Sequence, residues 1–85
     1  MVHFALTPRG FAEAVALAKG EHPVWCSASA ASQEHIAAMQ ATNVSRFIYT
    51  LDELLTNPAQ MASALDTIAQ HHPNEHIWVE HVEAA

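Results

Sequence analysis

The chain has little of several things that decide what a small protein can be. It has one cysteine, Cys26, which excludes an intramolecular disulfide framework and any metal site built from cysteines alone. That usage predicts a reducing compartment. It has three basic side chains, Arg9, Lys19 and Arg46, against nine acidic ones, a formal charge of −6. Backbone recognition of nucleic acid depends on cations that displace condensed counterions, so no nucleic-acid partner is expected. The same shortage argues against an anionic membrane surface. Only two glycines occur, and no glycine-rich phosphate motif, so no nucleotide cofactor is expected. No apolar run is long enough to span a bilayer, and the opening MVHFALTPRG lacks a basic, apolar leader, which predicts a cytoplasmic protein.

What is present is a chain of 85 residues, read as a single α/β domain over residues 1–85. A domain of this size buries only about 60–65% of the surface its unfolded chain exposes. Hydrophobic residues make up 51%, but 17 are alanine, so large core side chains are few. A homodimer interface would supply missing burial. The negative charge favours a protein partner with a basic surface, although acidity also serves solubility alone.

VHFAL, residues 2–6, alternates apolar and polar positions like a half-buried strand. Thr7 and Pro8 suit a helix N-cap and first turn, Phe11, Ala14, Val15 and Ala18 recur at helical spacing, and Gly20 suits a C-cap. Val24–Ser27 reads as a second strand, and Ser32 as the N-cap of a helix that turns Ile36 and Met39 inward and exits near Asn43. RFIYT, residues 46–50, is the third strand by its aromatic and β-branched content. Thr50 and Glu53 form a capping box, Asn57–Pro58 starts a further helix to about His71 with Gln60 completing a second box, and HIWVEHV, residues 76–82, is the last strand. The order β-α-β-α-β-α-β predicts a two- or three-layer α/β domain with a mostly parallel four-stranded sheet. The polar His3, His76 and Glu80 mark the first and last strands as edges, which leaves room for one antiparallel edge strand or a ferredoxin-like arrangement.

A parallel sheet collects the residues that follow each strand at its carboxyl edge, where open α/β sheets bind ligands. Thr7 and Arg9, Cys26 with its serines, Thr50 and Asp52, and His81 would meet there. A thiol at a helix start feels oriented amides that lower its pKa. Cysteine-dependent phosphatases and some sugar-transport phosphocarrier domains put a cysteine at such a strand end. Here the position of the phosphate-clamping arginine is taken by Ser32, and SASAA holds no glycine, so no family resemblance is drawn. As an enzyme or phosphocarrier-like domain the chain would use Cys26 as nucleophile, Arg9 as clamp, Asp52 as acid and His81 as proton carrier. A buried, inert cysteine in a capped turn is the competing reading.

Lys19, His22, Arg46, His71, His72 and His76 are expected at the opposite edge. His72 and His76, with His22 as third donor, suit zinc, nickel or copper, while His residues near a helix C-terminus equally suit its dipole. Glu21, Glu75, Glu80 and Glu83 lie close in sequence, so protonation of this patch would relieve acidic repulsion. Of Trp25 and Trp78, one is expected in the core and the other as an anchor. Trp78, with His76 and Glu80 on its strand face, marks an edge able to pair with another chain. The function read from these features is a small acidic binding or regulatory module acting through protein contacts, without catalysis of its own. The cysteine-loop enzyme and the histidine-based metal or pH sensor are the alternatives.

Overall fold

The computed structural model describes residues 1–82. The chain runs β1 (Val2–Ala5), α1 (Pro8–Ala18), β2 (Val24–Cys26), α2 (Gln33–Met39), β3 (Val44–Arg46), α3 (Leu51–Thr56), α4 (Pro58–His71) and β4 (Ile77–Val79). All four strands are parallel, in the order β3-β2-β1-β4. Neither the antiparallel edge nor the ferredoxin-like arrangement occurs.

Local side-chain chemistry starts each helix. Thr7 Oγ1 accepts from Gly10 N–H at the head of α1, and Ser32 Oγ accepts from His35 N–H at the head of α2. Thr50 and Glu53 complete their reciprocal box ahead of α3. Asn57 Oδ1 accepts from Ala59 and Gln60, but the second half of that box is missing. The Asn57 N–H already donates to the Glu53 carbonyl in the last turn of α3, so no orphan donor is left for Gln60. Gln60 Oε1 stays buried without a hydrogen-bond partner among the described residues. Helix α1 closes through Lys19 and Gly20, both at positive φ.

Handedness then fixes the layers. The connections β1-α1-β2 and β2-α2-β3 step in one direction across the sheet, whereas β3-α3-α4-β4 returns past β2 and β1 in the other. Right-handed crossovers therefore put α1 and α2 on one face and α3 and α4 on the opposite one, giving three layers. Strand alternation divides the core accordingly. Val2, Phe4, Leu6 and Trp25 pack with Leu54, Ala64 and Ile68 from α3 and α4. Ala5, Val24 and Cys26 pack with Phe11, Ala14 and Ala18 from α1 and with Ala30 and Ala31. The alanines are thus spent mainly on the α1 and α2 side, where they bring helix and sheet close together.

Two sequence expectations change. β1 is central, not an edge; its polar His3 is tolerated because the α1 layer leaves the β1–β4 side open. The third strand is Val44–Arg46, so RFIYT mostly follows the sheet rather than forming it. Phe47 N–H still donates to Cys26 C=O, and Tyr49 C=O accepts from Ala28 N–H, which tie this segment to the loop after β2. Its aromatics cover the edge of the core, with Phe47 5.0 Å from Trp25 and 5.4 Å from Phe4 between ring centres.

Candidate functional site

The strand order reverses direction between β1 and β4, and this switch point is where an open parallel sheet forms a crevice at its carboxyl edge. In this protein the Glu80 side chain enters the crevice. Glu80 Oε1 accepts from the backbone N–H groups of Leu6 at 2.7 Å and Thr7 at 2.9 Å, and Oε2 accepts from Thr7 Oγ1 at 2.6 Å. The carboxylate lies over Gly10 in the first turn of α1, where a Cβ would overlap it. An anion at a helix N-terminus gains from orphan amides and the helix dipole, and Glu80 uses both. Residues 73 and 74 positions apart are joined in this way, so β4 is latched to β1 beyond its strand pairing.

The cysteine loop is tied down by hydrogen bonds as well. Cys26 is 0% exposed, and its side chain faces the α1 and α2 layer. Burial pushes its thiol up to about 11, an effect that the nearby Arg46 guanidinium only partly offsets. Buried Ser27 donates to Leu6 C=O and accepts from Ala30 N–H; Ala28 N–H is held by Tyr49, and Ser29 Oγ caps Leu51 N–H. The amides of Ser27, Ala28 and Ala30 are therefore already used within the protein. Arg46, expected at the opposite edge, ends β3 at the carboxyl edge and clamps this loop by donating to the carbonyls of Ala31 at 2.7 Å and Ala28 at 3.1 Å. Of the proposed catalytic set, Arg9 and His81 line the same groove between α1 and β4, but Cys26 and Asp52 do not join them there. Arg9 is exposed and paired with Glu13 at 3.3 Å, Asp52 is exposed at the start of α3, His81 is exposed after β4, and Cys26 is buried with its proton.

The histidine set separates in the same way. Among the described residues no three His, Cys, Asp or Glu side chains stand together so as to hold a metal ion. His72 Nε2 accepts from Trp25 Nε1 at 3.1 Å, and His72 Nδ1 lies 3.9 Å from Glu75. Both ring nitrogens thus face protein partners, which removes His72 from the metal set, while His22 and His76 are exposed. His71 and His72 instead pack their rings on Trp25, with centres 5.4 Å and 6.0 Å away. Burial, the neighbouring His22 and the N-terminal ammonium lower the pKa of His3. The Met1 ammonium donates to Glu75 at 2.6 Å and lowers that carboxyl's pKa. Glu83 lies outside the described residues.

The two tryptophans divide as expected. Trp25 is 9% exposed and belongs to the core, whereas Trp78 is 61% exposed on the edge strand β4. Beside Trp78 a groove of about 510 Å³ opens between α1 and β4, with His3, Ala14, Leu17 and Val79 in its walls. Leu17 is 67% exposed, and Val79 is also exposed. His76 is exposed at the start of this edge, and half-buried Glu80 closes its other end through the latch. Sequence reasoning missed the roles of Leu17, Gly10 and Thr7 here. The signal for the latch was an acidic residue ending one parallel strand and a threonine ending another.

No known protein family, curated protein or solved structure matches the chain. Among the described residues no helix is long and apolar enough to cross a membrane.

Proposed function

We propose that this chain is a small acidic α/β binding or regulatory module that acts through protein–protein contacts and has no catalysis of its own. The observation that carries the reading is Trp78, a large aromatic side chain left 61% exposed on an edge strand beside an open groove whose walls mix apolar side chains (Ala14, Leu17, Val79) with charged ones (Arg9, Glu13, Glu80). Exposed aromatics at such positions serve as anchors, and a free edge supplies backbone groups for strand addition. The formal charge of −6 favours basic surfaces for contacts with other proteins. A reducing, cytoplasmic setting accompanies this reading, supported by the free and buried Cys26.

Cross-linking in a lysate tests it, with the wild type, Trp78→Glu and Ile48→Glu as baits. Ile48 is exposed but follows β3, away from β4 in the sheet order, so it controls for the loss of an apolar surface side chain. Partner proteins that cross-link to the wild type and to Ile48→Glu but no longer to Trp78→Glu support the module. An identical set of partners for all three baits, with none dependent on Trp78, overturns it.

A further inference from the structure

We infer that the β4 edge is built to pair with the β4 edge of a second copy of this chain, antiparallel and centred on Trp78; the inference rests on the protein-contact reading above. The backbone supplies the first half of the argument. Val2 N–H donates to His76 C=O, and Glu80 N–H donates to Phe4 C=O, so β1 takes the groups of every second residue of β4. By that alternation, the N–H and C=O groups of Ile77 and Val79 point away from the sheet. An antiparallel partner related by a twofold axis through Trp78 sets Ile77 against Val79 of the other copy, and Val79 against Ile77. Each pair exchanges two hydrogen bonds, four in all, and the eight strands become one continuous sheet.

The side chains supply the second half. Residues 75–81 read EHIWVEH, and about Trp78 this stretch is complementary to its own reverse. His76 falls opposite Glu80, Glu75 opposite His81, a β-branched residue opposite another, and Trp78 opposite itself. Among the described residues Glu80 has no ion-pair partner, and its Oε2 accepts only one hydrogen bond, so it retains acceptor capacity toward an imidazole from the second copy. Trp78 would occupy the non-hydrogen-bonded pair, where opposite side chains come closest. The charge of −6 repels a second copy at long range, but physiological salt screens exposed charges beyond about 8 Å. The strand at the junction carries two acids, each followed by a histidine, rather than an unbroken acidic row.

The test is sedimentation equilibrium from roughly 1 μM to roughly 1 mM protein, a range that spans weak association through a small interface. The proteins are the wild type, Val79→Pro, Trp78→Glu and Ile48→Glu, each checked for folding by circular dichroism. Proline at 79 deletes an outward N–H and leaves the bonds to β1 in place, so it acts on the junction rather than on the fold. The expected result is a monomer–dimer equilibrium weakened at least roughly tenfold by Val79→Pro, since two of its four bonds go. Trp78→Glu should weaken it too, and Ile48→Glu should not. A monomer throughout, or a dimer indifferent to Val79→Pro, overturns the proposal. A monomer that nevertheless keeps Trp78-dependent binding to a basic protein overturns only the second copy as occupant and leaves the protein-contact reading standing. Loss of both overturns both.

Discussion

Replacing Gly10 with alanine should destabilise this protein, although the same change in an ordinary helix stabilises it. In a helix interior alanine is favoured over glycine by about 1 kcal/mol, and rather less in the first turn. Here a Cβ on residue 10 would overlap the Glu80 carboxylate, which three donors hold in place at 2.6, 2.7 and 2.9 Å. The carboxylate must withdraw from at least part of that set. Hydrogen bonds to charged groups contribute about 1.5–3 kcal/mol each, and the low end applies to this half-buried group, so the latch loses roughly 2–4 kcal/mol. The net effect of Gly10→Ala is a loss of roughly 1–3 kcal/mol, or a fall in Tm on the order of 10 °C for a domain of this size. In a Glu80→Ala background nothing occupies the space, and Gly10→Ala should become neutral or stabilising. Urea denaturation of the four proteins of this cycle, followed by circular dichroism, measures the coupling directly. An effect of Gly10→Ala that is the same in both backgrounds, within about 0.5 kcal/mol, would falsify the latch.

Native Cys26 should resist alkylation at neutral pH and react rapidly in denaturant, because its thiol is buried and its pKa is pushed up from 9.0 to about 11. A raised folded-state pKa means stability that is complete below pH 9 and lost as the pH climbs towards 11, about 2–3 kcal/mol in all, readable as a falling urea midpoint. Acid acts on other groups: the pKa values of His3 and Glu75 are both lowered in the folded state, so their contributions are present above the ordinary values of 6.5 and 4.5 and fade below them. The urea midpoint should therefore decline from pH 7 to pH 5, with His3→Gln reducing the slope in that interval; an unchanged slope contradicts the assignment to His3. Ile68→Ala should cost about 3 kcal/mol, since Ile68 is fully buried between α4 and the sheet, while Ile48→Ala at an exposed position should stay within about 0.5 kcal/mol.

The parts of this fold that could be read from sequence are those decided within a few residues. Thr7, Ser32, Thr50 with Glu53, and Asn57 each cap a helix as their i to i+3 spacing indicates, because a cap is a contact between neighbours. Gln60 failed as a box residue for an equally local reason that spacing does not reveal: its intended donor was already used by the preceding helix. The third strand was displaced because β propensity rewards the aromatics of RFIYT, whereas pairing is set by β2, only three residues long. Strand order was hidden for a different reason. His3 on a central strand looks like an edge residue until the crossovers show that α1 leaves that side of β1 open. A strand at RFIYT puts Arg46 at the edge opposite Cys26, but β3 begins two residues earlier, at Val44, and pairs Arg46 directly with Cys26. Trp78 could be recognised as one of two tryptophans, and its strand as an edge, but only the folded arrangement brings Leu17 beside it and turns Glu80 inward to α1.

The most direct measurement of the central claim, that β4 is a contact surface, is amide hydrogen exchange along that strand by NMR. In the isolated chain the Trp78 N–H, paired with β1, should be protected, while the outward N–H groups of Ile77 and Val79 should exchange fast. Protection of Ile77 and Val79 should rise with protein concentration or on addition of a captured partner, and Trp78→Glu should abolish the rise. Fast exchange at both residues under every condition, with and without Trp78, would contradict it.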